Sequence, residues 1–417
     1  MKKNKVFLGF IDIAGQISEY ANSYSNLGYK VTTVVRTRIS YFPYSRYNII
    51  LEGLIPPFLK KGTLLRKLYL GIVYIPLYHM LMLYFVFSND IFHFIWYNAK
   101  TNFFYFWLIK RLNKKIIIQF VGSDVKWIPL HFQEFEFRRL DTGDQKLRMV
   151  NTQKQKITLN SRLRYVRISE KFADLIISIP EQAQLQLRPY YNFYLPVTKN
   201  IKQKKRSNRK LKVALGITES KAKGTDKVIE ILKNYINQST VDFELIKLAK
   251  IPHDKVLNIL EITDIFIYTP YSCGAGKFGH EAVAAGAVTL VGYDKDWLAL
   301  PENPPFVHIQ ENTLIEKLDY FLRNHEERIK LSEYGIVWAK NWTDPDWIIS
   351  DILDKLNNDR PPDYIPKFFR DQATFDSIWD KPDSYKVANK WTKYVSREKW
   401  YKENISPGYR DKLIFEG

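Results

Sequence analysis

A single cysteine, Cys273, stands in 417 residues. That count excludes an internal disulfide and a cysteine-rich metal cluster, and it fits a reducing compartment. Histidine is also scarce, at seven residues. No HExxH helix or paired-Asp cluster marks a dedicated metal site, so no metal is expected. His253, His280 and His308 are scattered, and only His280 is expected beside the glycine loop discussed below. A GxxxxGK[ST] phosphate loop is missing, which leaves ATP hydrolysis unsupported. The first strand–loop–helix unit lacks the full GxGxxG fingerprint, so a nicotinamide cofactor is not the default. No long apolar leader is present either: Asp12 interrupts the run that follows the basic start. The expectation is a first β-strand and a location in the cytoplasm or on the cytoplasmic face of a membrane.

Negative charge is scarce in the first half only. Residues 1–210 hold 35 Lys/Arg against 12 Asp/Glu, whereas residues 211–417 hold 28 against 32. A basic half joined to a near-neutral one suggests a face that meets a polyanion, whether anionic lipid, nucleic acid or an acidic saccharide. The plainer reading, that the excess only aids solubility, ranks second. Apolar residues make up 46% and charged residues 26%, values of a globular chain, and the length suits two α/β domains. Ten Trp, 27 Tyr and 26 Phe exceed what cores usually need and leave rings for sugar stacking or an interface.

Periodicity predicts a strand at Val6–Ile11 and a loop at Asp12–Gly15. A helix follows, carrying Ile17, Tyr20, Ala21, Tyr24 and Leu27, then a stop at Gly28 and a strand at Val31–Val35. Residues 68–87 are the most hydrophobic stretch. Pro76 and His79 interrupt it, so a membrane-touching or buried helix is expected rather than a crossing one. Strands follow at Ile91–Trp96 and Ile116–Val121, with a helix at Phe103–Leu112 between them. The second strand runs into Gly122-Ser123-Asp124. Residues 125–165 show only weak periodicity. Ala173–Ser178 is another strand, and the basic run at 198–210 reads as a linker. A second alternation then begins, with strands at Lys212–Leu215, Phe243–Leu248, Ile265–Tyr268 and Val288–Val291. Helices at Asp226–Tyr235, Asp254–Glu261 and Phe278–Ala285 separate them. A helix at 345–357 precedes a Pro- and Trp-bearing tail that either wraps the first domain or stays extended. The fold class is therefore α/β, with two Rossmann-like domains facing a central cleft.

Two segments of the second half carry chemistry. Cys273-Gly-Ala-Gly-Lys-Phe-Gly-His-Glu281 follows a strand and opens a helix. Its glycines admit a ligand close to the backbone, and the helix N-terminus offers N–H groups to a phosphate. Glu281 repels phosphate but suits two neighbouring ribose hydroxyls. A glycine loop with a capping Glu accounts for the same spacing. The second segment, Thr218–Asp226, lies between a strand and a helix, and Lys223, with Lys221 or Ser220, can meet a diphosphate. Alone it would be weak, because lysine-rich loops are usually solvated surface.

These motifs resemble the nucleotide-sugar domain of the large glycosyl transferases group 1 family, retaining enzymes of GT-B fold. The resemblance spans residues 5–357, loosely in the middle of the first domain. It implies that Lys223, before Gly224, contacts the donor diphosphate, and that Glu281, before Ala282, Ala284 and Gly286, holds the ribose. The loop ending in Gly15 and the Gly122-Ser123-Asp124 turn match the family's first domain. The implied division is an acceptor domain at 1–200, a nucleotide-sugar domain at 201–345, and a cross-back helix and extension at 346–417. Three positions depart from the family: Cys273 replaces a glutamate that contacts the sugar, Val121 replaces a histidine, and Lys221 stands in for an arginine. The implied reaction moves a sugar from a nucleotide-sugar co-substrate, without a further cofactor, to a glycan or lipid-linked acceptor. Lys223, Lys221 and the backbone at Gly276 would steady the leaving diphosphate. Asp12 and Asp124 are the candidates for orienting the acceptor, and an anionic membrane surface is the expected partner. A binding or scaffold protein without transfer, supported by Cys273 and Val121, is the alternative. Nucleic-acid binding would explain the charge but has no recognised motif behind it.

Overall fold

The computed structural model describes residues 4–39, 41–42, 45–96, 103–122, 124–126, 162, 165–166, 168–183, 185–186, 188–197, 201, 210–217, 224–271, 274–293, 301, 303–358 and 360–364. Lys221, Lys223, Cys273, most of the 198–210 run, most of 125–165 and the tail beyond Tyr364 lie outside the described residues.

The first sheet is wholly parallel, in the order β3-β2-β1-β4-β5-β6-β7. Its strands are β1 (Lys5–Phe10), β2 (Lys30–Val35), β3 (Ile49–Ile50), β4 (Ile91–Ile95), β5 (Lys115–Gln119), β6 (Leu175–Ser178) and β7 (Tyr191–Asn192). Central strands are apolar on both faces, as expected when helices cover both sides of a parallel sheet. Val6, Leu8 and Ile117 pack toward one layer, and Phe7, Phe92 and Ile118 toward the other. Helix α1 (Gln16–Asn26) places Ile17, Tyr20 and Tyr24 on the sheet at helical spacing. It ends as the sequence predicts. Gly28 takes φ 88°, and its N–H and that of Tyr29 satisfy the carbonyls of Ser25 and Tyr24.

Helix α2 runs from Leu64 to Ser88 and is 25 residues long. A widened turn at Leu70–Tyr74 lies just before Pro76. Proline removes a helical N–H and crowds the carbonyl four residues back, and a π-turn absorbs both effects. Helix α3 (Phe103–Arg111) packs beside it.

The second sheet is also parallel, in the order β12-β11-β10-β8-β9. Strands β8 (Leu211–Ile217), β9 (Phe243–Ala249), β10 (Ile265–Ile267), β11 (Val288–Val291) and β12 (Phe306–His308) alternate with α4 (Thr225–Gln238), α5 (His253–Leu260) and α6 (Gly276–Ala284). Helices α7 (Leu314–Arg323) and α8 (His325–Trp342) complete the cover. The chain then crosses back. Helix α9 (Pro345–Asn357) lays Ile348, Ile349, Ile352 and Leu353 against Ile17, Tyr20 and Tyr24 of the first half. Asp344 caps its N-terminus through the Asp346 N–H.

Candidate functional site

In an open parallel sheet, a crevice forms outside the carboxyl ends of the strands where the strand order reverses. The second sheet starts at β8, adds β9 on one side and β10, β11 and β12 on the other. Its switch point therefore lies between β8 and β10. The loops leaving those strands are 218–224 and 268–275, the two segments singled out for phosphate and ribose chemistry. The first sheet reverses between β1 and β4, and the loop leaving β1 is Asp12–Gly15.

The two crevices face each other. Lys277, in the first turn of α6, reaches across with Nζ 2.8 Å from both carboxylate oxygens of Glu19 and donates to the carbonyl of Ala14 at 2.7 Å. On the second side, the His253 N–H donates to the Tyr41 carbonyl at 3.1 Å. The Phe42 ring packs at a tilt against His253 with centroids 4.5 Å apart, and Lys277 Nζ lies 5.7 Å from the Phe42 centre. Gly15, with φ 77°, makes room for that ring: a Cβ there would lie 2.8 Å from Phe42.

Glu281 is buried at the base of this junction, one turn beyond Lys277. His253 Nε2 donates to its Oε1 at 2.7 Å, and Lys277 Nζ stands 3.9 Å away. A carboxylate bonded by one imidazole, with an ammonium 3.9 Å away, keeps lone pairs for neighbouring hydroxyls. Gly276 opens α6 at φ 56°. Gly279 brings the helix close to its own entry loop, since a Cβ there would lie 2.5 Å from that of Ala275. Gly224 begins α4 with φ 58°. The residues before it, Lys221 and Lys223, are outside the described set.

Asp12 is buried at the N-terminus of α1. It accepts from the Ile17 N–H at 3.1 Å and from the Tyr47 hydroxyl at 2.6 Å. Burial raises its pKa, and the bonds from Tyr47 and Ile17 and the Lys277 charge oppose the rise. Both carboxylate oxygens are thus engaged in shaping the loop. Asp124 closes the turn after β5, accepting from the N–H groups of Gly122 at 2.9 Å and Val125 at 3.1 Å, with Val121 at 3.3 Å. Burial pushes its carboxyl up to about 6 against those backbone bonds.

The histidine expectation is corrected. His280 Nδ1 donates to the Gly276 carbonyl of its own helix at 2.7 Å, and its ring packs on Phe306 and Trp338, away from the crevice. Burial lowers its pKa. His253 is the histidine at the junction. Its sequence position, at the start of a helix after β9, carries no signal of that contact. Lys277 was readable: it precedes Glu281 by four residues, one helical turn, on the same face. Glu19, Phe42 and Tyr47 come from the opposite half and had no local signature.

No protein-family model and no curated protein matches the chain. Solved structures do. A sucrose-phosphate synthase from Thermosynechococcus elongatus matches at 12% identity and a TM-score of 0.50, covering 85% of this chain and 99% of that one. WaaG, a glycosyltransferase involved in lipopolysaccharide biosynthesis, matches at 13% identity and a TM-score of 0.50, covering 85% and 100%. At such identities the likeness establishes the fold, two Rossmann-like α/β sheets facing each other in the GT-B arrangement.

Proposed function

We propose that the protein is a retaining glycosyltransferase that moves a sugar from a nucleotide-sugar to a hydroxyl of a glycan or lipid-linked acceptor. The observation that carries this reading is the pair of opposed switch-point crevices, with the buried Glu281 and the α6 N-terminus on one side and the Asp12–Gly15 loop on the other. The fold shared with WaaG, a glycosyltransferase, and with a sucrose-phosphate synthase supports it by analogy.

In this reading Glu281 accepts the ribose hydroxyls, with His253 fixing the carboxylate and Lys277 beside it. Lys223, Lys221 and the N–H groups around Gly276 stabilise the charge that builds on the departing diphosphate. Asp12 and Asp124 shape the acceptor-side loops, and Gly15 makes room for the Phe42 ring that meets His253. Closure of the cleft excludes water from the donor and disfavours hydrolysis. The acceptor proton passes to a donor phosphate oxygen on the reacting face, so no side-chain base is required. By the family resemblance, Cys273 and Val121 stand at the sequence positions that the family uses around the transferred sugar, and so bear on donor choice. The basic first half favours an anionic membrane surface as the place of work.

The test is transfer itself. Purified protein, a nucleotide-sugar and a lipid-linked or glycan acceptor should give a product whose anomeric proton coupling matches the donor's configuration. Inversion at that carbon overturns the retaining mechanism. A donor bound without transfer to any acceptor supports the non-transferring binding protein, which Cys273 favours.

A further inference from the structure

Helix α2 is rooted in the first domain but mostly uncovered. Met82, Phe85 and Val86 are buried in the core, and Lys114 Nζ donates to the carbonyls of Val86, Phe87 and Asn89 at the helix end. Tyr69 donates its hydroxyl to the Leu54 carbonyl at 2.7 Å, and His79 Nδ1 meets the Tyr105 hydroxyl at 2.5 Å. Outward, the same helix presents Leu64, Leu68, Ile72, Met80, Tyr84 and Phe87, spaced by about one turn except across the widened segment. Ile72 is 71% exposed, Met80 67% and Phe87 65%. The neighbouring α3 adds Phe103, Phe104 and Trp107, all exposed. A soluble surface rarely leaves a contiguous apolar face of this kind open.

Charge identifies the occupant. Between Gly53 and Ser123 the chain carries nine Lys/Arg and one acidic residue, Asp90. Asp90 accepts the backbone N–H of Lys5. Lys60, Lys61 and Lys67 are exposed around the start of α2, Arg111 is exposed at the end of α3, and Lys115 beyond it is exposed though 4.0 Å from Asp174. A second copy of this face would meet like charge with like charge. An anionic leaflet supplies both the acyl layer for the rings and the phosphates for the lysines.

We propose that the protein docks on an anionic membrane by laying α2 in the plane of one leaflet, its Leu64–Phe87 face in the acyl boundary, with Phe103, Phe104 and Trp107 beside it. A crossing orientation would pull Met82, Phe85 and Val86 out of the core and break the Lys114 bonds at the helix end. This deepens the membrane part of the function proposed above, and it is tested without a nucleotide-sugar, so either reading can fail alone.

The test is flotation of the full chain with vesicles of phosphatidylcholine alone and vesicles that also contain phosphatidylglycerol. The protein should float with the anionic vesicles about tenfold better than with the neutral ones, and part of that binding should survive high salt. The combined variant Ile72→Asp, Met80→Asp, Phe87→Asp should lose flotation by about tenfold or more. Its thermal unfolding should match the parent's, because these side chains are exposed. Alkaline carbonate should release the parent from the vesicles. Three results overturn the proposal: a parent that floats with neither vesicle, a folded triple variant that floats like the parent, or a parent that resists carbonate as a spanning protein does. Self-association through this face, abolished in the triple variant while the parent ignores vesicles, would assign the surface to a second copy instead.

Discussion

Lys277 Nζ lies 2.8 Å from both carboxylate oxygens of Glu19, joining the helix that follows β10 to the helix that follows β1. The contact is largely buried, at 6% and 14% side-chain exposure. It links the two sheets at the place where each sheet's strand order reverses.

Removing the ammonium would leave Glu19 facing Glu281 across the junction. Lys277→Met should therefore lower unfolding stability by on the order of 3 kcal/mol, the usual cost of breaking a buried ion pair from one side. It should also raise the radius of gyration in X-ray scattering as the halves separate. A double-mutant cycle with Glu19→Gln should return a coupling of about 1–3 kcal/mol. Strictly additive effects would mean that the contact does not hold the halves together.

Gly216 sits near the end of β8, beside the crevice. A Cβ there would lie 2.7 Å from the Phe266 ring and 3.1 Å from Phe278. Gly216→Ala should lower stability by about 1–3 kcal/mol through overpacking, read by denaturant titration. A neutral result would show that the two rings give way at little cost.

His93 is buried on the central strand β4. Its Nδ1 accepts from the Tyr24 hydroxyl at 3.1 Å, and its Nε2–H donates to Gln119 Oε1 at 3.0 Å. Burial lowers its pKa from 6.5 to about 4. The unfolded chain then binds the extra proton first, so this site's share of stability, on the order of 3 kcal/mol, is lost as pH falls from about 6.5 toward 4. His93→Gln should flatten the pH dependence across that window in denaturant titrations. An unchanged slope would contradict a neutral buried imidazole.

Asp124 has the opposite sign. Its folded-state pKa of about 6 lies above the ordinary 3.8, so the folded chain binds this proton more tightly than the unfolded one. The ionised group penalises the fold fully above pH 6, and the penalty fades as pH falls toward 3.8. Asp124→Asn keeps one acceptor for the turn and removes the charge. The variant's stability relative to the parent should rise between pH 4 and 7 by linkage. A constant difference across that range would contradict the assignment.

Much of this architecture was legible in the residues because the central strands are buried on both faces and read as apolar runs between amphipathic helices. β1, β2, β4 and β6 fall within a residue or two of their expected spans. The two-residue edge strands Ile49–Ile50 and Tyr191–Asn192 were invisible, since two residues carry no periodicity. α7 and α8 were missed although Leu314, Leu318, Phe321 and Leu322 recur at helical spacing; that stretch simply held no glycine or lysine motif to draw attention. The apolar stretch before Ser88 is a continuous helix, buried only at its Met82, Phe85 and Val86 end, because a π-turn accommodates Pro76. For the site, local sequence pointed to Glu281 and Gly276. It could not reveal that His253 meets Glu281, or that Glu19 and Phe42 face this junction, since those contacts join segments from 28 to 258 residues apart.

Glu281 as the ribose ligand of a nucleotide-sugar is the central assignment. Calorimetric titration of the purified protein with UDP-, GDP- and dTDP-sugars measures this. One donor should bind saturably, and both Glu281→Ala and Lys223→Ala should weaken it by about tenfold or more, as loss of a charged hydrogen-bonding partner requires. A panel in which no donor binds, or a Glu281→Ala protein that is folded and binds its donor as tightly as the parent, would contradict it.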